Sequence, residues 1–171
     1  MNKKLVNKGL RISRIMTSPV RKMPDFLIIG AQKCGTTSLF NYLVQHPDIG
    51  EPHRKEISYF SYKFCRGTSW YKSFFPVFIP GLKQDFLITG EATTEYICYP
   101  NSAKRIAQAM PNIKLITLLR NPVDRAYSHY HHTKRMGMES LPFEEAITKE
   151  DERVNKYKKK ILEDENYYHS N

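Results

Sequence analysis

The sequence predicts an α/β fold in three layers, a central parallel sheet flanked by helices. Three observations carry that prediction. Short apolar runs recur at Phe26–Ile29, Phe86–Thr89 and Lys114–Leu119, closed by Gly30, Gly90 and Arg120. Their apolar character is continuous rather than alternating, which marks strands buried on both faces. Segments with helical spacing lie between them, and strand–helix–strand order makes the sheet parallel.

Each element has its own signal. Phe26-Leu27-Ile28-Ile29 is the first strand, and a glycine-containing loop follows it. From Ser38 to Gln45, Leu39, Tyr42 and Leu43 fall at helical spacing, and His46-Pro47-Asp48 ends the helix. Phe86 to Thr89 is the second strand, stopped by Gly90. Asn101 and Ser102 are cap residues for a helix through Met110, with Ala103, Ile106, Ala107 and Met110 on one face. After the turn at Pro111-Asn112 comes the third strand, Lys114 to Leu119. Asn121-Pro122 opens a helix to about Arg135, with proline at its first position. The charged segment 149–171 has helical character, with Tyr157, Ile161 and Leu162 as its few apolar residues.

Composition bounds the answer further. A chain of 171 residues holds one domain with a core and is too short for two. With 40% hydrophobic residues, 11 Tyr and 9 Phe, it is neither a disordered chain nor a fibre. Cys34, Cys65 and Cys98 are odd in number and widely spaced, which argues against a disulfide framework and a zinc module. The net charge of +10 is unevenly spread. Residues 1–24 carry seven Lys/Arg and no acid, whereas residues 149–171 carry six of each sign. The chain thus divides into a basic tail expected to be flexible (1–24), a mildly basic body (25–148) and a charged end (149–171). No nucleic-acid partner is expected from so local an excess. Arg11 and Arg14 break every apolar stretch of the tail, so no secretory signal is expected. No apolar run approaches the roughly 18 residues of a membrane span. The expected location is therefore cytoplasmic.

The chemistry concentrates after strand ends. Gly30-Ala31-Gln32-Lys33-Cys34-Gly35-Thr36-Thr37-Ser38 joins the first strand to a helix. Glycines let backbone N–H groups turn inward, the helix N-terminus adds its positive end, and lysine and hydroxyls complete an anion cradle. This makes the domain a P-loop-containing one, with a variation. In the common ATP-binding loop the lysine follows the second glycine, whereas Lys33 precedes Gly35. No acid closes the third strand to hold magnesium; Arg120 stands there instead. An ATP-dependent kinase is accordingly the weaker alternative. The guanidinium fork of Arg120 suits a phosphate, and Ser128, eight residues on, lies about two helical turns later. Arg125 is a further anion ligand or a structural ion-pair partner.

GAQKCGTTSL together with LLRNPVDRAYSHY resembles the sulfotransferase superfamily, which uses 3'-phosphoadenosine 5'-phosphosulfate (PAPS) as donor. The resemblance spans residues 25–145. It implies that Lys33, Gly35, Thr36, Thr37 and Ser38 hold the 5'-phosphosulfate, and that Arg120 and Ser128 hold the 3'-phosphate. Lys55-Glu56-Ile57-Ser58-Tyr59-Phe60 looks like the heparan sulfate branch, where a Lys-Glu pair precedes an aromatic segment. That likeness makes Glu56 the general base, the alternative being a surface acid paired with Arg54 or Lys55. Charge building on the leaving phosphate oxygen calls for a fixed cation, a role that falls to Lys33. Glu91 is the rival carboxylate, to orient Lys33 or touch the acceptor. The implied acceptor is a saccharide or other hydroxyl or amine compound, with no metal required. Ala92 stands where heparan-type relatives carry a lysine toward an acidic sugar. Family members continue with a basic segment that closes over the nucleotide, so a chain ending at Asn171 is expected to be C-terminally truncated, and a non-catalytic nucleotide-binding relative is the alternative reading.

Other signals carry less. His129, His131 and His132 lack the converging ligands of a metal site. Trp70, Tyr71, Phe74, Phe75 and Phe78 read first as core, and second as a wall for stacking sugars.

Overall fold

The computed structural model describes residues 11–79, 81 and 88–163, with side chains described to Lys159. A helix over residues 11–16 (α1) and a 3-10 turn at Ser18–Val20 lead into β1 (Phe26–Gly30). Then come α2 (Thr36–Leu43), β2 (Ile49–Gly50), a 3-10 turn at Phe64–Arg66, α3 (Gly67–Lys72) and β3 (Ile88–Ala92). The chain continues through α4 (Ser102–Ala109), β4 (Lys114–Thr117), α5 (Pro122–Arg135), α6 (Phe143–Thr148) and α7 (Glu150–Glu163).

The four strands form one parallel sheet in the order β2-β3-β1-β4. Strand order reverses about β1, and in open α/β sheets ligands sit beyond the carboxyl ends of strands at such a point. Leu27 pairs with Glu91 on one side and Leu115 on the other. Alternation along β1 feeds two cores. Leu27 joins Ile57, Phe60, Tyr71, Phe75 and Ile106 under α3 and α4. Phe26 and Ile28 join Phe40 of α2 and Ala92 on the opposite face. The helix, sheet and helix layers expected from the sequence are therefore present. Burying a side chain as fully as Leu27 or Phe60 contributes about 1.5–3 kcal/mol before cavity effects.

Several expectations need correction. Phe86 and Leu87 lie outside the described residues, and the strand does not stop at Gly90 but runs on to Ala92. The reason is steric: a Cβ on Gly90 would meet the Phe26 ring at 2.1 Å, so glycine here is a packing residue and not a terminator. Helix α2 begins at Thr36 rather than Ser38, because Gly35 takes the left-handed conformation (φ 88°) just before it. Asn101 precedes α4 without a side-chain cap bond, whereas Asn121 accepts from the N–H groups of Val123 and Asp124. The flexible tail expected over 1–24 does not hold for residues 11–24. Arg14 Nε donates to the Ser73 carbonyl at 2.7 Å, and Arg21 Nη1 to the Phe75 carbonyl at 2.6 Å. Ile15 and Met23 pack on the first core. Residues 1–10, and the side chains of Ile161 and Leu162, lie outside the described residues. The sugar-stacking wall is also overturned, since Trp70, Tyr71 and Phe75 are buried in the first core.

Candidate functional site

Two loops meet where β1 and β4 end. Ala31 N–H donates to the Leu118 carbonyl at 2.9 Å, and Leu118 N–H donates to the Gly30 carbonyl at 2.8 Å. This main-chain clasp carries the pairing past the last ladder residues, Gly30 and Thr117. It brings the loop holding Lys33 beside the segment holding Arg120. A Cβ on Gly30 would lie 2.6 Å from Ile97 Cγ2 and 3.1 Å from the Thr94 carbonyl, so only glycine permits the turn there.

Past this clasp lies an open cavity of about 700 Å³. Lys33, Gly35, Thr36 and Thr37 line it from the first loop, Lys55 and Glu56 from the segment after β2. Arg120 and Ser128 line it from the β4–α5 side. Of the residues expected to hold the donor, Ser38 is the exception: its exposed side chain is not in the wall. The first helical bond of α2 runs from Leu39 N–H to the Gly35 carbonyl. That leaves the N–H groups of Thr36, Thr37 and Ser38 at the helix mouth, the positive end of its dipole. Sequence reasoning did not place Gln32, Thr94, Glu95 and His132 in the wall, although all four line it. Thr94 and Glu95 were legible only as neighbours of Glu91, and His132 only as part of a histidine cluster.

Backbone conformation singles out the same residues. Among the described residues the non-glycine positions with positive φ are Lys33 (67°), Glu56 (54°) and Ser58 (61°). Left-handed backbone at such residues costs roughly 1–3 kcal/mol each and persists where the surroundings impose it. Glu56 is held on both sides: its N–H donates to the Ala92 carbonyl at 3.0 Å, and its Oε2 accepts from Thr94 N–H at 3.1 Å. Lys55 Nζ lies 3.7 Å from Glu56 Oε1 and donates to Thr37 Oγ1, which ties this segment to the cradle. Burial pushes the Glu56 carboxyl above its ordinary value, against the Thr94 N–H bond and the Lys55 charge, which hold it down. Burial also lowers Lys55. Glu56 is thus both a partner of Lys55 and a half-buried acceptor facing the cavity.

Glu91 does not play the part expected of it. Its side chain is fully buried, outside the cavity wall. Tyr71, Thr93 and Tyr96 each donate a hydroxyl hydrogen bond to it. Burial raises it to about 7, opposed by those three bonds. It therefore touches neither Lys33 nor an acceptor. The inward face of β3 delivers it to the first core opposite Leu27.

On the other wall, Asn121 caps α5 and its first turn carries Asp124. Arg125 lines a separate cavity between α5, α6 and α7 with His129, and no ion pair forms on it among the described residues. Burial and the charges of Arg125 and His132 lower His129. Arg120 and Ser128 also border a second open cavity with Lys134 and Arg135. No group of three or more His, Cys, Asp or Glu able to hold a metal ion occurs among the described residues.

A parallel sheet with a Gly-Lys-Thr loop after its first strand and an arginine after its fourth defines an α/β domain of the P-loop type. The chain belongs to the sulfotransferase domain family, whose profile matches residues 23–169. It is 45% identical over 109 residues to the membrane-associated sulfotransferase kil1 of Dictyostelium discoideum, covering 64% of this chain and 23% of that protein. It is 41% identical over 119 residues to human bifunctional heparan sulfate N-deacetylase/N-sulfotransferase 3, covering 66% of this chain and 13% of that one. The chain thus spans about a quarter or less of the length of these relatives. Among solved structures, a sulfotransferase from Alicyclobacillus acidocaldarius matches with a TM-score of 0.65 at 37% identity. That match covers 79% of this chain and 60% of the other. No helix among the described residues is long and apolar enough to cross a membrane.

Proposed function

We propose that this domain transfers a sulfuryl group from PAPS to a hydroxyl or amine of a carbohydrate-type acceptor. One observation carries the reading: Lys33, Glu56, Arg120 and Ser128, drawn from three separate segments, line one cavity in a family of sulfotransferases. The heparan sulfate N-sulfotransferases among its relatives support a saccharide acceptor.

In this reading the cradle of Gly35, Thr36 and Thr37 binds the 5'-phosphosulfate, with the first-turn N–H groups of α2, Ser38 included, as donors. Arg120 and Ser128 bind the 3'-phosphate. The new bond forms between the acceptor oxygen or nitrogen and sulfur, and the bond from sulfur to the phosphate oxygen breaks. Negative charge then gathers on that phosphate oxygen, and Lys33 is the fixed cation that stabilises it. The acceptor loses its proton as it attacks. Glu56, lifted by burial, takes that proton, help typically worth roughly 10²–10⁴-fold. The leaving product is 3'-phosphoadenosine 5'-phosphate (PAP). Protein cations supply the charge in this scheme, so no metal enters it.

The test is calorimetric titration with PAP, with and without magnesium, on the wild type and Arg120→Ala. The expected result is binding that is indifferent to magnesium and weakened in the variant. A folded chain that binds only with magnesium, or binds equally well without Arg120, overturns the donor assignment.

A further inference from the structure

Glu91 is a fully buried carboxyl that the proposed chemistry does not use, yet its bonds lead to the segment that carries Glu56. Thr93 Oγ1 donates to Glu91 Oε1 at 2.6 Å and itself accepts from Ser58 N–H at 3.3 Å. Tyr96 Oη donates to the same Oε1 at 2.8 Å. It accepts in turn from Tyr59 N–H at 2.9 Å and Phe60 N–H at 3.3 Å. A hydroxyl has one proton. Because both protons are spent on Glu91, both oxygens are left with lone pairs facing outward. Three consecutive backbone N–H groups, at residues 58, 59 and 60, fill them.

We propose that Glu91 is a positioning residue: by fixing the direction of the Thr93 and Tyr96 hydroxyls, it straps residues 58–60 to the end of β3 and so holds Glu56 at the cavity. The assignment of Glu56 as base rests on the function proposed above, but the strap itself does not. It supports the left-handed backbone at Ser58, whose own N–H is the first of the three, and together with the Glu56 N–H bond to the Ala92 carbonyl it brackets Glu56. It also tolerates either charge state of Glu91. A proton on Oε2 would turn only the Tyr71 hydroxyl, which donates there, and would leave Oε1 accepting from Thr93 and Tyr96.

The Thr94 amide reports directly on Glu56, whose Oε2 it donates to at 3.1 Å. Its nitrogen resonance is followed through a pH titration, in the wild type and in Tyr96→Phe, Glu91→Met and Glu91→Gln. The charged groups facing Glu56 are Lys55 beside it, Glu95 in the following turn and Glu91 beneath. In the wild type the Thr94 resonance inflects as Glu56 titrates. In Tyr96→Phe and Glu91→Met the expected result is loss of that inflection, with the Tyr42 and Leu43 amides of α2, on the opposite face of the sheet, unmoved. Glu91→Gln keeps an acceptor toward both hydroxyls and is expected to retain the inflection. Should Glu91→Met fail to fold, Tyr96→Phe, which removes one oxygen and keeps the ring, decides the matter.

The proposal is overturned if the inflection survives in Tyr96→Phe, or if it disappears in a folded Glu91→Gln. A purely structural role would move the α2 amides together with Thr94. PAP titration of the wild type keeps the two readings apart: absence of PAP binding by the folded wild type strikes the donor site, whereas an undisturbed Thr94 in Tyr96→Phe strikes the strap.

Discussion

Between Phe26 and Met110 the chain buries side chains on both faces of its sheet; from Pro111 to Lys159 none is buried. Leu115 shows the difference most directly. It pairs with Leu27 across the ladder, yet Leu27 is fully buried and Leu115 is 53% exposed. The candidate site takes one wall from each region. Lys33, Lys55 and Glu56 stand on the packed side, and Arg120 and Ser128 on the exposed side. The packed region has contacts enough to hold left-handed backbone at Lys33 and Glu56. The exposed region relies on local devices, such as the Asn121 cap and the two-bond clasp at Leu118. Precision in the first region comes from burial, and in the second from main-chain and capping bonds.

That contrast orders the effects of substitution. The largest falls in the core: Phe60→Ala should cost about 3–5 kcal/mol in chemical denaturation, since a fully buried ring is lost. A cost under about 1 kcal/mol there, the size of a surface change, would erase the distinction between the regions. Arg120→Ala comes next. It should weaken PAP binding roughly 10–100-fold, the loss of a charge-assisted bond of about 1.5–3 kcal/mol, while the melting temperature stays put.

The pH dependence of stability probes the packed side from within. Glu91, raised to about 7 from an ordinary 4.5, keeps its proton in the folded protein where the unfolded chain has released it. Its contribution is therefore full below about 4.5, falls as pH rises toward about 7, and is level above. Glu91→Gln should flatten that part of the stability profile measured by denaturation across pH; an unchanged slope would mean another group sets it. Asn121→Ala should cost about 1 kcal/mol by removing the α5 cap, read in thermal unfolding, with a modest loss of PAP affinity through Ser128. Smallest of all, Leu115→Ala should stay within about 0.5 kcal/mol of the wild type, despite its place in a strand.

What the sequence made legible follows the same divide. The cradle and the arginine site are local patterns, and residues 30–38 and 120–128 announce them without reference to the rest of the chain. Asn121-Pro122 likewise fixes the start of α5 from two residues. Long-range burial was not legible. Gly90 reads as a strand terminator until the Phe26 ring is seen packed against it. Glu91 and Glu56 are both acids near apolar residues, and nothing in the string says that one enters the core while the other faces a cavity. Arg14 and Arg21 look like solvated tail charges, because their partners are carbonyl oxygens of Ser73 and Phe75, groups every residue possesses. The two-residue strand Ile49–Gly50 is too short to leave a period at all.

The clasp between Gly30, Ala31 and Leu118 acts as a ruler. Both of its bonds are made by main chain, so the span from the cradle to the root of Arg120 does not depend on which side chains surround it. On the function proposed above, a ligand is then measured by the distance between its two anionic ends before any of its other groups is read. Nucleotides with a charge at one end only would meet half the scale.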